Sequence, residues 1–119
     1  MILIVDDHPD NCELLAHFLK ADGFEAECVH SGEAAIESVE SSIPTVIVLD
    51  DFMPGMTGLD VIRQLRENPR YSALPIVFYS AGQDMTRRDR AMSLGAADWL
   101  VKGKNSWHDV VSKIEALAR

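Results

Sequence analysis

The chain has 119 residues, which is about the size of one ordinary domain and leaves no room for a second folded unit. With 47% hydrophobic and 25% charged residues, it has the composition of a globular protein that can bury a modest core. A net charge of -8 argues against direct nucleic-acid binding, which depends on clustered Lys and Arg, and favours metal ions or cationic partners.

The sequence also lacks the signals of membrane insertion and of export. No apolar run approaches the roughly 18 residues that suggest a membrane span. The apolar start at residues 1–5 is too short and too quickly followed by acids to be a signal peptide. We therefore expect a cytosolic chain without a membrane partner, in which Cys12 and Cys28 are reduced core residues without metal-ligand spacing.

The first half of the chain alternates predicted strands and helices. The apolar run at residues 2–5 has no period-2 alternation, which indicates a strand buried on both faces of a parallel sheet. A helix follows, with Pro9 available for its first turn and Gly23 as its terminator. Residues 24–29 alternate in polarity and predict a strand nearer an edge, and a shorter helix is predicted around residues 34–39.

The second half of the chain contains three more helices and three more strands. Thr57 and Asp60 have the spacing of a capping box, and Ser106 begins the last helix. Residues 84–94 predict a helix with few apolar side chains to bury, and therefore the least firmly packed one. The β-α unit repeated five times predicts a parallel sheet with helices on both faces and right-handed crossovers. The three further strands are predicted at residues 46–49, 76–79 and 99–101.

Polar side chains follow four of the predicted strands. The carboxyl ends of parallel strands share one edge of the sheet, where ligands bind in open α/β folds. Clustered carboxylates raise one another's pKa unless a cation intervenes, and Mg²⁺ prefers oxygen ligands of this kind. Such a site suits phosphoryl transfer to a carboxylate, with an ammonium and a hydroxyl as donors to the phosphoryl oxygens. The residues concerned are Asp6, Asp7, Asp50, Asp51, Ser80 and Lys102.

Each of these residues, taken alone, also has an ordinary explanation. Asp6 and Asp7 could cap the first helix, and the acids at residues 50–51 could belong to a turn. Ser80 alone is more often a turn residue, and Lys102 alone is more often solvated. Their joint occurrence at four strand ends favours a shared site.

Other site types receive little support from the sequence. The four histidines have no zinc-type spacing and are expected at the surface or at helix ends, although His8 adjoins the acid pair and could modulate it. Glycine motifs that cradle nucleotide phosphates are absent, which disfavours a nucleotide enzyme. The other histidines are His17, His30 and His108.

Four segments, taken in order, resemble the receiver domains of response regulators. They are IVDD at residues 4–7, LDDFMPGMTG at 49–58, SA at 80–81 and GAADWLVK at 95–102. The resemblance implies a single receiver domain over residues 1–119, with a flavodoxin-like α/β fold and a five-stranded parallel sheet in the order 2-1-3-4-5.

The resemblance also implies roles for the acids. Asp50 lies four residues before Pro54, which is the family's position for the phosphoacceptor. Asp7 and Asp50 would bind Mg²⁺ directly, Asp6 would help through water, and the backbone carbonyl of Phe52 would be a further ligand.

The remaining family positions concern the response to the phosphoryl group. Ser80 and Lys102 match the residues that bind its oxygens, and Trp99 matches the aromatic residue that moves inward with Ser80. Trp99 is larger than the usual Tyr or Phe, which predicts a poorer fit inside and an altered switch. Gly103 replaces a proline that the family usually joins by a cis peptide bond, which predicts a trans or mobile loop here.

The predicted function is that of a phosphoacceptor signalling domain, with self-phosphorylation and self-dephosphorylation only. The donor would be a phosphohistidine of a sensor histidine kinase or a histidine phosphotransfer protein, and the receiver of the signal a downstream output domain or protein. Arg87, Arg88 and Arg90 are either partner contacts of the helix at 84–94 or a solvated face.

Two alternatives and one question stay open at this point. The first alternative is a receiver-like interaction module with weakened phosphorylation-dependent switching. The second is an aspartate-based phosphatase, which would normally need a second acid where Phe52 lies. The sequence leaves open whether the chain is free-standing or part of a longer protein.

Overall fold

The computed structural model describes residues 1–82 and 84–119, in which five strands alternate with five helices. The strands are β1 (Ile2–Val5), β2 (Ala26–Val29), β3 (Val46–Leu49), β4 (Ile76–Ser80) and β5 (Asp98–Val101). The helices are α1 (Pro9–Ala21), α2 (Gly32–Ser41), α3 (Gly58–Glu67), α4 (Met85–Ser93) and α5 (Trp107–Ala118), with a 3-10 turn at Pro69–Tyr71.

The strands form one parallel sheet in the order β2-β1-β3-β4-β5, which confirms the predicted fold class and strand order. β2 lies at an edge, as its alternating pattern predicted. β5 lies at the other edge, so its terminal residues are half-buried while Trp99 and Leu100 are buried. The three central strands are buried on both faces because helices cover both sides of the sheet.

Two hydrophobic clusters fill the spaces between the sheet and its helices. Side chains of α1 and α5, such as Leu15 and Val110, pack on one face. Side chains of α2, α3 and α4 pack on the other, where Ile62 and Phe78 are fully buried. The doubly wound arrangement leaves the carboxyl ends of the strands open at a single edge.

The predicted helix starts are confirmed in detail. Thr57 Oγ1 accepts the Asp60 N–H while Asp60 accepts the Thr57 N–H, which completes the capping box of α3. Ser106 accepts a hydrogen bond from the Asp109 N–H at 3.1 Å, so α5 begins where the sequence predicted. Pro9 is in the first turn of α1.

Helix α4 is weakly packed, as its composition predicted. Ala91 is its one buried residue, because charged and polar side chains occupy six of the nine positions of the helix. No helix in the described part of the chain has the length and apolarity needed to cross a bilayer. Both cysteines are free, with Cys12 buried and Cys28 half-buried.

Candidate functional site

The polar residues that follow the strands meet at one edge of the sheet. β1 and β3 are paired neighbours, and the Asp50 N–H extends their ladder by donating to the Val5 carbonyl at 2.9 Å. β4 and β5 are likewise paired, and the Lys102 N–H donates to the Ser80 carbonyl at 2.9 Å. The strand pairing therefore brings residues far apart in sequence into one cluster.

Lys102 connects the first and third strands of the chain. Its Nζ lies 2.6 Å from Asp6 Oδ2 and 3.4 Å from Asp50 Oδ2, and all three side chains are largely buried. Burial disfavours the charge of Lys102, but its hydrogen bond to Asp6 and the charge of Asp50 together raise its pKa above the ordinary value. The lysine is therefore a firmly charged ammonium group held between two carboxylates.

Asp50 is a buried acid whose charge is costly in the metal-free protein. Burial raises the pKa of Asp50, and the nearby Asp6 charge raises it further, while Lys102 opposes both effects. Because Lys102 alone does not offset burial and the charge of Asp6, a further cation at this site would stabilise the ionised form of Asp50.

The donor atoms present fit a divalent cation. One ligand atom from each of Asp6, Asp7, His8 and Asp50 lies within 4.8 Å of the others. Asp7 Oδ1 is buried and makes no hydrogen bond within the described residues. Three carboxylates, one of them with a buried oxygen that accepts no hydrogen bond from the described residues, form the oxygen-rich set that Mg²⁺ prefers.

Ser80 and Phe52 flank the acids. Ser80 is fully buried, and its hydroxyl has no hydrogen-bond partner in residues 1–82 and 84–119. The Phe52 N–H donates to Asp50 Oδ1 at 3.4 Å, and its ring lies over Gly82, where an added Cβ would come within 2.1 Å of Phe52 Cε2. The loops after β3 and β4 are therefore in contact beside Asp50.

Asp51 has a structural role that the sequence did not reveal. The side chain is fully buried and forms a two-pronged ion pair with Arg87, in which Nε contacts Oδ2 and Nη2 lies 2.8 Å from Oδ1. The Leu59 N–H donates to the same Oδ1 at 3.2 Å. Arg87 therefore has a structural partner, because a buried carboxylate requires a compensating cation, whereas Arg88 and Arg90 are exposed.

Trp99 fits inside the protein, so the predicted poor fit of the larger ring was wrong. The ring is buried and stacks on Phe78, with centroids 5.0 Å apart and planes 10° apart. Its Nε1–H donates to the Gly82 carbonyl at 3.2 Å. Space above Phe78 accommodates the indole, and the loop after β4 supplies the acceptor that its N–H needs.

The loop after Lys102 adopts a conformation that excludes proline. No cis peptide bond occurs among the described residues, so the Lys102–Gly103 bond is trans, as expected. Gly103 has a φ of +84°, whereas proline is fixed near -65°. Glycine therefore allows a backbone conformation after β5 that proline could not adopt.

The fold and the cluster define a doubly wound α/β domain with an acidic, lysine-containing site at the carboxyl edge of its sheet. A model of the family described as "Response regulator receiver domain" matches residues 2–114. The chain therefore belongs to the response regulator receiver family and is a signalling domain of two-component phosphorelays.

Similar proteins agree with this assignment. The phosphate regulon transcriptional regulatory protein PhoB of Rhizobium meliloti is 30% identical over 118 residues, which cover 99% of this chain and 52% of that protein. The sensory transduction protein RegX3 of Mycolicibacterium smegmatis is 32% identical, with coverage of 99% and 50%. The chain thus spans about half the length of the curated relatives it matches.

Solved structures show the same fold. Chemotaxis protein CheY4 of Vibrio cholerae superposes with a TM-score of 0.88 at 26% identity, over 98% of this chain and 96% of that one. The signal receiver domain of a histidine kinase from Syntrophus aciditrophicus gives a TM-score of 0.87 at 29% identity, over 98% and 88%. These relatives favour a phosphorelay domain over a phosphorylation-independent interaction module.

Proposed function

We propose that residues 1–119 form one receiver domain in which Asp50 accepts a phosphoryl group from a phosphohistidine. The observation that carries this proposal is the position of the Asp50 carboxylate. It is buried, lies 3.4 Å from Lys102 Nζ, and neighbours the Ser80 hydroxyl, which has no hydrogen-bond partner in the described part of the chain. The full burial of Asp51 and its ion pair with Arg87 support Asp50 rather than Asp51 as the phosphoacceptor.

In the proposed reaction, an Asp50 carboxylate oxygen forms a bond to phosphorus as the bond from phosphorus to the donor imidazole nitrogen breaks. The electron pair of that bond stays on the imidazole. Asp6, Asp7 and Asp50, together with the carbonyl of Phe52, would hold Mg²⁺, which supplies positive charge to the phosphoryl oxygens when bound. Asp6 keeps Lys102 oriented toward Asp50 through the 2.6 Å ion pair.

The same residues explain how the added charge changes the surface. Lys102 Nζ has three N–H donors and contacts two carboxylates, and the Ser80 hydroxyl has no hydrogen-bond partner among the described residues. A phosphoryl group on Asp50 would supply three oxygens that can accept hydrogen bonds from both. When Ser80 moves toward them, the loop that follows it moves too. Because Trp99 is hydrogen-bonded to Gly82 in that loop, the movement reaches β5.

Mass spectrometry with acetyl phosphate and Mg²⁺ tests the assignment. Intact mass should rise by one phosphoryl group in the wild type, and Asp50→Asn should abolish the rise. Asp51→Asn is the matched control, since it removes the neighbouring carboxylate and should leave uptake intact once circular dichroism has verified folding. Stoichiometric uptake by Asp50→Asn would make the assignment untenable.

We further propose a sensor histidine kinase or a histidine phosphotransfer protein as the donor, and an output domain or protein that reads α4, β5 and α5. The exposed arginines of α4 support this readout face. Arg88→Glu with Arg90→Glu should leave phosphorylation normal and weaken output binding. Unchanged binding would mean that these arginines are only a solvated face.

A further inference from the structure

His8 lies against the acids that are proposed to bind the metal, and its ring contacts them rather than helix α1. It is the N-cap residue of α1, yet its side chain makes no capping hydrogen bond, and it is 69% exposed. Its Nδ1 lies 3.1 Å from Asp7 Oδ1 and 3.5 Å from Asp6 Oδ1. The imidazole therefore faces the carboxylates without serving the helix.

The backbone holds His8 in this position. The His8 N–H donates to Asp6 Oδ1 at 2.9 Å, which fixes the turn between β1 and α1. Pro9 follows directly and restricts the chain at the start of the helix. A metal ligand at residue 8 would thus be preorganised, so that ion binding would cost little conformational entropy of the chain.

The atoms available form a mixed set of three carboxylates and one imidazole. His8 Nδ1 belongs to the group of ligand atoms that all lie within 4.8 Å of one another. Asp7 Oδ1, which is 3.1 Å from it, is buried and accepts no hydrogen bond within residues 1–82 and 84–119. Mg²⁺ selects oxygen ligands, whereas imidazole suits later first-row ions such as Zn²⁺.

We propose that His8 is a direct ligand through Nδ1 and makes this site a binding site for late first-row transition-metal ions as well as Mg²⁺. The inference rests on the proposed acidic metal site and adds a nitrogen ligand to it. His8 would then influence which divalent ion the site prefers, because a variant without His8 would have only oxygen ligands.

Nitrogen-resolved NMR on the labelled wild-type chain tests this directly. Saturating Zn²⁺ should move the ring Nδ1 signal of His8 to the position of a metal-bound imidazole. Mg²⁺ should leave that signal in place. His17 and His108 are internal controls. An unmoved His8 Nδ1 under saturating Zn²⁺ would overturn the proposal.

Calorimetry on matched variants gives an independent test. His8→Ala should weaken Zn²⁺ binding roughly tenfold or more and change Mg²⁺ affinity by no more than about twofold, while His17→Ala on the exposed face of α1 should change neither. Equal losses for both ions, or a gain in Zn²⁺ affinity, would mean that His8 acts only as a neighbouring group. Failure of the wild type to bind Mg²⁺ would instead remove the proposed function itself.

Discussion

Replacing Arg87 with Gln leaves the carboxylate of Asp51 buried without its cation. Breaking a buried ion pair in this way costs about 3–5 kcal/mol, most of it the penalty of the uncompensated charge. Two features place the expected loss of stability at the lower end of this range, at about 3 kcal/mol. Asp51 keeps its hydrogen bond from the Leu59 N–H, and the Arg87 side chain is 32% exposed, so water can enter the gap.

Urea unfolding followed by circular dichroism measures this loss. The midpoint should fall with an unchanged slope, since the area buried on folding is the same. For a chain of this size, ~3 kcal/mol corresponds to a fall in Tm of roughly 10 °C. Arg90→Gln, an exposed change on the same helix, is the matched control and should alter the free energy of unfolding by no more than about 0.5 kcal/mol.

A double variant measures the interaction energy between Asp51 and Arg87 separately from the effect of each single substitution. Asp51→Asn with Arg87→Gln removes both charges, so its loss should be clearly smaller than the sum of the two single losses. If Arg87→Gln proved as stable as Arg90→Gln, the carboxylate of Asp51 would have to be solvated or neutral, and the reasoning from burial would be refuted.

Three further predictions concern single residues. Asp50→Asn should stabilise the protein without Mg²⁺ at neutral pH, because burial raises the pKa of Asp50. The ionised Asp50 side chain lowers the stability as pH rises from the ordinary pKa of 3.8 through the raised pKa of the folded state, so the gain from Asn should vanish below about pH 4 in urea titrations. A gain in stability that does not depend on pH would contradict this prediction. Glu115→Gln should behave in the same direction, because burial and then the neighbouring Asp22 raise the pKa of Glu115; a less stable variant at pH 7 would show that the ion pair with Arg119 at 3.9 Å outweighs burial. Gly103→Ala should cost about 1 kcal/mol in thermal unfolding through backbone strain alone, because φ is +84° and no atom of the described residues lies within 4 Å of the added Cβ. No measurable cost would mean that the loop relaxes to negative φ.

Local patterns predicted the elements because the forces that form them act between near neighbours. The capping box at Thr57 closes over three residues, and the buried strands follow from runs of four or five apolar side chains. The strand order came from the family resemblance, since periodicity says nothing about which strands pair. Once the order is known, the meeting of Asp6, Asp50 and Lys102 follows from parallel pairing.

Long-range polar contacts were beyond this reasoning. Arg87 meets Asp51 across 36 residues, and Arg66 donates to the Leu94 carbonyl across 28, so neither pair has a local signature. Strand alternation gave no signal either, because Asp6 and Asp7 are also successive residues at a strand end and both supply an oxygen to the cluster.

Trp99 gives this chain an internal optical reporter. The indole is buried, and its N–H is bound to the carbonyl of Gly82, two residues beyond Ser80. Breaking that bond alters the polarity around the ring, and emission from tryptophan follows such changes. A Trp107→Phe chain would have a single emitter, since the sequence contains two tryptophans, and movements after β4 would then be visible without an added dye.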